Sequence, residues 1–317
     1  MANARVTAAV LTYNGRGLLE IILPSLAAQR YRAISTVVVD NGSSDDTLAW
    51  LRDQWPDVHV VVLPQNVGVT AALNACVDAA DTDLVGLFNN DVELHPDCVG
   101  ELVRALDEHP DAGSAGAKLV DYYDRTRLDG TGDMFLWTGE AHRRGQGEAD
   151  VGQYDEPQEV FGACGGAALY RRAALERVGP FDERLHAIKE DVDWAFRAQL
   201  AGFSCRYVPS AVAYHMGGAT LGAELGDFAL YQNWRNNIWL IAKNYPASAF
   251  LRHGHQLLWG QVKNLLFALR GRRVGVWLRV LRDALRGMPA TLRDRRAVQR
   301  RRVVGTRELE RVVGALR

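Results

Sequence analysis

Asn89-Asn90-Asp91 and Glu93 stand directly behind the apolar run Leu84–Phe88. Asp91 and Glu93 are hard oxygen ligands of the kind that hold Mg²⁺ or Mn²⁺ against a diphosphate. Polar side chains at the carboxyl end of a buried strand are also where open α/β sheets bind ligands. A plainer reading of the same residues is a strand end, an Asn-rich turn and a helix N-cap near Pro96. Three further groups have suitable types. Asp40-Asn41-Gly42-Ser43-Ser44 closes another apolar run, although Asn-Gly also favours a tight turn by itself. Glu190-Asp191-Val192-Asp193-Trp194 opens a helical pattern, where Asp and Glu are ordinary first-turn residues as well. The helix N-terminus lowers the pKa of Asp191 while Glu190 and Asp193 raise it, and the balance is not set by sequence. His215 follows the last strand candidate, as a ligand or as a structural histidine.

The elements that must position these groups alternate. Val6–Leu11, Thr36–Val39, Val58–Leu63 and Leu84–Phe88 read as strands, with helical patterns at Leu18–Ala28, around Leu48 and Leu51, at Ala71–Ala80 and at Asp97–His109. Strand, polar loop and helix repeated four times predict a parallel sheet with helices on its faces. No GxGxxG follows any strand, so a dinucleotide-binding turn has no local support. Gly113–Val120 reads as a fifth strand, and 121–158, rich in Gly, Asp and Arg, as loops or short hairpins. Gly162, Gly165 and Gly166 within Val160–Tyr170 permit close backbone approach. Helices are expected at Arg171–Val178 and Glu190–Leu200, and two short strands at Cys205–Val208 and Ala211–Tyr214.

Charge divides the 317 residues unevenly. The net charge is −1, yet residues 235–317 hold 19 Lys and Arg against 4 Asp and Glu. Beyond Asp227 the chain reads as basic amphipathic helices, with Leu258, Trp259, Val262, Leu265, Leu266, Phe267 and Leu269 in one and Trp277, Leu278, Leu281 and Leu285 in the next. Such helices suit an anionic membrane interface; the alternative is a hairpin packed on the main domain with its arginines in water. Nucleic acid is not expected, because no recognisable binding motif accompanies the Arg293–Arg302 cluster. Cys76, Cys98, Cys164 and Cys205 lack paired or metal-type spacing and read as reduced, buried thiols. Met1–Arg5 leads straight into a strand pattern, so no signal peptide is expected, and no apolar run reaches the roughly 18–20 residues of a membrane span. A cytoplasmic protein, peripheral at the inner face of the cell membrane, is the expectation.

In order along the chain, Leu11-Thr12-Tyr13-Asn14, Val39-Asp40-Asn41-Gly42-Ser43-Ser44-Asp45, Asn66-Val67-Gly68 with Asn74, Asn89-Asn90-Asp91, Glu190-Asp191-Val192-Asp193-Trp194 and His215 resemble the inverting family 2 glycosyltransferases, above all the rhamnosyltransferase-type branch. The resemblance covers about residues 5–220. It implies an α/β fold of GT-A type (a Rossmann-like, mostly parallel central sheet with flanking helices), here in a domain at 1–226, followed by a basic α-helical extension at 227–317.

It also implies roles. Asp91 stands where the last residue of the family's Asp-x-Asp triplet ligates a divalent metal, Mg²⁺ or Mn²⁺, and His215 matches a histidine that completes that site. Asn89 departs from the motif by replacing the first carboxylate; Glu93 is expected to face away. Asp40 resembles the aspartate that hydrogen-bonds a pyrimidine ring N–H, and Thr12, Tyr13, Asn14, Asn66, Gly68, Asn74, Asn89 and Asn90 are expected to line the nucleotide-sugar pocket. Asp191 matches the base, with Trp194 on its helical face to stack on a sugar. Gly165, Gly166 and Glu190, near Phe161 and Cys164, match the acceptor side, and Phe181-Asp182-Glu183 belongs to a loop that closes over the substrates.

The implied reaction moves a sugar from a nucleoside diphosphate, with dTDP-L-rhamnose as first donor and UDP-sugars as the alternative. The implied acceptor is a saccharide or polyprenyl-linked saccharide of cell-surface polysaccharide synthesis. A non-catalytic carbohydrate- or nucleotide-binding module on the same scaffold is the rival from another class. A nucleotidyltransferase would need a basic, Gly-rich triphosphate loop after the first strand, and Thr12–Gly17 carries only Arg16. The oligomeric state is left open between monomer and homodimer.

Overall fold

The computed structural model describes residues 4–217 and 226–314. The domain boundary expected at 226/227 therefore adjoins a segment, 218–225, that lies outside the described residues. The first half is built as the alternation predicts. Strands β1 (Val6–Thr12), β2 (Ile34–Asp40), β3 (His59–Val62) and β4 (Leu84–Asn89) alternate with helices α1 (Arg16–Ala27), α2 (Thr47–Gln54) and α3 (Val69–Ala79). They pair in parallel in the order β3-β2-β1-β4. Val, Ala and Leu point to both faces of these strands because helices cover both sides. Parallel register puts Thr12 beside Asp40 and Leu11 beside Asn89, so their polar ends share one edge.

The pattern then changes hand. A short strand β5 (Val92–Leu94) and helix α4 (Cys98–Glu108) lead to β6 (Ala112–Asp121). Three short strands, β7 (Leu128–Gly130), β8 (Asp133–Phe135) and β9 (Ala141–Arg143), and then β10 (Gln158–Val160) fill the segment expected as loops and hairpins. Next, β11 (Ala167–Arg171) inserts antiparallel between β4 and β6. Helices α5 (Arg172–Val178) and α6 (Glu190–Leu200) follow, and then β12 (Ser204–His215), parallel to β6.

The two short strands expected at 205–214 are one strand with a register shift between Val208 and Val212. Pro209 offers no N–H to the ladder, so the strand bulges there and resumes.

One apolar layer, with Leu19, Ile22, Leu23, Val99, Leu102 and Leu106, lies under α1 and α4. The other, with Cys76, Leu175, Trp194 and Tyr207, lies under α3, α5 and α6. All four cysteines are buried free thiols.

The basic segment forms α7 (Asp227–Asn244), α8 (Ala247–Arg270), α9 (Val274–Arg301) and α10 (Thr306–Leu309). These helices are not detached. Leu240, Ile241 and Tyr245 share a core with Phe135, Phe161 and Phe196. A smaller cluster of Leu230, Trp234, Ala268, Val276 and Val280 joins α7, α8 and α9 to one another.

Candidate active site

The polar groups meet along the edge where β1, β2 and β4 end. Asp40 is wholly buried: its Oδ2 accepts the Ser43 N–H at 2.9 Å, while Oδ1 has no partner within the protein. Asn14, at φ +46°, locks the neighbouring loop, since its N–H donates to Ser43 Oγ and its Oδ1 accepts the Ser44 N–H, both at 2.8 Å. Tyr13 is exposed beside it. Asn66 Oδ1 accepts the Gly68 N–H at 3.0 Å and also meets Asn41 Nδ2 at 3.2 Å. Asn90 Nδ2 donates to Thr12 Oγ1 at 3.1 Å, tying the end of β1 to the turn after β4. Asn89 is half-buried, and its N–H donates to Gly166 O at 3.0 Å.

Asn74 does not belong to this group. Its Oδ1 accepts the Phe181 N–H, and its Nδ2 donates to Phe181 O and to Glu183 Oε1, all at 2.9–3.0 Å. Its amide thus clips α3 to the loop before α6, 107 residues away in sequence.

Asp91 and His215 come together. Pairing of β5 with β12 brings His215 beside Val92, and His215 Nε2 lies 3.3 Å from Asp91 Oδ1, both side chains being buried. On the other side of the ring, Nδ1 lies 2.6 Å from Asp129 Oδ2, and Arg143 Nη1 donates to that oxygen at 2.7 Å. Burial lowers the His215 pKa, but the two carboxylates outweigh it and push the ring up to about 9. For Asp129, burial raises the pKa, yet His215 and Arg143 hold it below the usual range. Glu93 instead pairs with Arg125 at 2.6 Å.

The donor set fits a divalent ion. Neighbouring ligands of an octahedral Mg²⁺ site at about 2.1 Å stand about 3 Å apart, close to the separation of Asp91 Oδ1 from His215 Nε2. A carboxylate behind a ligating histidine is the usual second layer of such a site. Among the described residues no cluster of three or more His, Cys, Asp or Glu would hold an ion unaided. Mg²⁺ bound by one or two side chains, waters and substrate phosphates needs no such cluster.

Asp191 is the second residue of α6 and lies over Gly165, where an added Cβ would sit 2.8 Å from Asp191 Oδ2. At the next residue, Gly166, an added Cβ would be 3.7 Å from the His215 ring. Asp191 thus adjoins Gly165, and His215, paired with Asp91, adjoins Gly166, the next residue along the chain. Burial raises the pKa of Asp191, opposed by the Val192 N–H and the Arg143 charge. Glu190 is raised by burial and by Asp191, and its Oε2 has no partner. Burial and the Asp191 charge also push the nearby Asp133 carboxyl well up.

Trp194 corrects the expected sugar platform. It is 1% exposed, packs edge-on against Tyr170 at 5.0 Å and belongs to the core under α6. Its indole therefore lies in the protein interior.

Before α6 the chain is strained. His186, Ile188 and Lys189 have φ of +63°, +69° and +70°, a conformation that costs a residue other than glycine about 1–3 kcal/mol. His186 covers Gly68: a Cβ there would be 2.3 Å from its Nδ1, so only glycine, at φ +89°, fits. Burial pushes Lys189 down to about 8 against the charges of Glu140 and Asp191. At the next turn, Asp193 is buried among Arg197, Lys243 and Asn244. Asp129, Arg143, His186 and the α7 residues had no signal in the sequence beyond being polar.

A parallel-to-mixed sheet carrying a carboxylate–histidine pair at its strand ends and a second carboxylate opposite defines the GT-A class. The comparisons agree. A sequence model of the family described as glycosyl transferase family 2 matches residues 7–179. The N-acetylglucosaminyl-diphospho-decaprenol L-rhamnosyltransferase of Mycobacterium tuberculosis (strain CDC 1551 / Oshkosh) is 29% identical over 298 residues, 87% of this chain and 88% of that protein. Among solved structures, S. aureus TarS 1–349 aligns with a TM-score of 0.61 at 18% identity, over 93% of this chain and 88% of that one. The mannosyltransferase PcManGT from Pyrobaculum calidifontis, solved with GDP-Man and Mn²⁺, aligns at 0.56 and 18%, over 94% and 88%.

The chain belongs to glycosyl transferase family 2. It is a glycosyltransferase.

Proposed function

We propose that the chain transfers L-rhamnose from dTDP-L-rhamnose, with inversion, to a polyprenyl-diphosphate-linked saccharide. The carrying observation is the placement of Asp191 over Gly165 and of His215, paired with Asp91, beside the adjoining Gly166. The near end-to-end likeness to a rhamnosyltransferase named for a lipid-linked acceptor supports the donor and acceptor. UDP-sugars are the second donor reading.

Asp91 and His215 would hold Mg²⁺ or Mn²⁺, which offsets the charge that develops on a departing diphosphate. Asp129 fixes the His215 ring, and Asn89 takes the place of a carboxylate by hydrogen-bonding ribose or a metal-bound water. The unpartnered Asp40 Oδ1 is the acceptor for a pyrimidine N–H, since a buried carboxylate oxygen left unpaired costs free energy. Thr12, Tyr13, Asn14, Asn66, Gly68 and Asn90 would line the same pocket.

In the reaction the acceptor hydroxyl oxygen forms the new bond to C1 as the C1–O bond to the diphosphate breaks. Its proton passes to Asp191, and the nucleoside diphosphate leaves with the electron pair. Burial raises the pKa of Asp191, the direction that suits a group able to take up a proton. Gly165, Gly166 and Glu190 flank the acceptor.

The domain at 1–226 does this chemistry and the helices at 227–317 dock at the cytoplasmic face of an anionic membrane. Leu278, Leu285 and Leu292, seven residues apart and 56, 70 and 47% exposed, form one stripe on α9 between Arg279, Arg282, Arg286, Arg293 and Arg296. Leu251, Leu258, Trp259, Leu266 and Leu269 extend an exposed apolar face along α8. No helix among the described residues is long and apolar enough to cross a membrane, so these helices would lie in the interface.

Calorimetry with dTDP and UDP in a Mn²⁺ series, followed by product analysis with dTDP-L-rhamnose and UDP-sugars, tests the reading. No nucleotide binding at any Mn²⁺ concentration would leave a non-catalytic module instead.

A further inference from the structure

The chain that carries the catalytic base enters α6 through residues 185–189, three of which hold positive φ without being glycine. Ile188 is β-branched, for which that conformation is a true outlier. Something must hold it. The support comes from α7, outside the sheet. Asn236 is fully buried, and its Nδ2 lies 2.9, 2.8 and 2.8 Å from the carbonyl oxygens of Leu185, Ala187 and Ile188. Arg235 orients that amide by donating to Asn236 Oδ1 at 2.8 Å, and it reaches Arg184 O and Leu185 O at 3.2 and 3.1 Å. Asn237 Oδ1 accepts from Lys189 Nζ at 3.0 Å.

We propose that Asn236 is a positioning residue for the base: by gathering the carbonyls of 185, 187 and 188 it fixes the strained turn and thereby the place of Asp191 over Gly165. The inference rests on the assignment of Asp191 as base. The turn is held on its other side by the nucleotide half, where Thr70 N–H donates to His186 O at 3.1 Å and the His186 ring lies on Gly68. The turn is thus pinned between the donor loop and a C-terminal helix, and Glu190-Asp191 follow it without a spacer. With Asn236 shortened, three buried carbonyls lose their common donor and Ile188 relaxes toward negative φ. The first turn of α6 then rotates, and a displacement of about 1 Å at a reacting group can cost as much as 100-fold in rate.

Glycine at 188 gives a rescue that a merely structural role would not produce, because glycine accepts positive φ without strain. The full chain is measured as parent, Asn236→Ala, Ile188→Gly/Asn236→Ala and Asp191→Asn, well below each melting temperature. Asn236→Ala should lower kcat for sugar transfer by about tenfold or more, with affinity for UDP and dTDP in Mn²⁺ within about twofold of the parent. Amide hydrogen exchange across 186–193 should rise in the same variant. Ile188→Gly/Asn236→Ala should recover part of both losses.

An Asn236→Ala protein with parental kcat and exchange overturns the proposal, as does a loss that glycine at 188 leaves unchanged. If Asn236→Ala gives no cooperative melt, Asn236→Leu, which keeps nearly the same size without a donor, is read on the same criteria. Asp191→Asn separates the two layers: turnover in that variant removes the base and this inference with it, whereas a dead Asp191→Asn beside a normal Asn236→Ala removes this inference alone.

Discussion

The two sides of the cleft are made differently. On the donor side, Thr12, Asp40 and Asn89 sit at the ends of neighbouring parallel strands, and their loops are held by partners on adjacent loops. On the base side, Asp191 depends on Gly165, on a strained turn and on a helix about 45 residues further along. A strand end is placed by sheet register alone. A base that must oppose it needs support from distant parts of the chain, so damage on that side should spread further.

Predictions can break this contrast. The largest effect is expected at Asp191. Asp191→Asn should lower kcat by about 100-fold or more while nucleotide affinity measured by calorimetry stays nearly intact; near-normal turnover would sink the assignment.

Next comes the anchor of α6. Lys243 Nζ reaches Asp182 at 2.6 Å and Asp193 at 2.8 Å, all nearly buried. Lys243→Met leaves those carboxylates short of a cation and should cost about 3–5 kcal/mol of stability in denaturant unfolding. Burial raises the pKa of both aspartates, but their cations win and hold them below the usual carboxylate range. A lowered folded-state pKa gives stability that is present above the unfolded value, about 3.9, and lost as pH falls through the folded one. The parent should therefore lose stability in acid more steeply than Lys243→Met, and parallel acid titrations would contradict the network.

A smaller effect is expected at Asp129, which touches the metal side only through His215. Asp129→Asn should weaken Mn²⁺ affinity about 10–100-fold, measured by calorimetry in the presence of UDP, with the fold unchanged by circular dichroism. Equal Mn²⁺ affinity would place the ion elsewhere.

The gentlest change is on the surface. Leu278→Ser/Leu285→Ser/Leu292→Ser should reduce binding to anionic liposomes about tenfold or more and leave nucleotide binding alone. If the triple variant binds liposomes like its parent but shifts from dimer to monomer in sedimentation, the leucine stripe is a contact between copies.

How much was legible follows the same division. The strands, helices and shared edge of the donor side could be read because apolar runs and polar loops alternate with a fixed period, and parallel pairing then forces the loops together. Asp40, Asp91, Asp191 and His215 stood in recognisable local patterns. Trp194 did not end where its helical spacing suggested: three residues from Asp191 on a helix is close to the same face, and the difference was enough to bury it against Tyr170. Asn74 looked like part of a pocket because it follows Asn66-Val67-Gly68, yet its amide serves Phe181. The segment 121–158, with no clear periodicity, hid Asp129 and Arg143.

The sequence by itself determined the class of protein, the order of the parallel strands' loops and the carboxylates available for metal and proton. Those properties follow from local periodicity and from residue type. Only the tertiary structure decided that Asp129 stands behind His215, that Asp191 and His215 adjoin the neighbouring residues Gly165 and Gly166, and that Asn236 on α7 closes over residues 185–188. These contacts join residues about 25 to 90 positions apart, and their meeting depends on how the helices and the mixed half of the sheet pack.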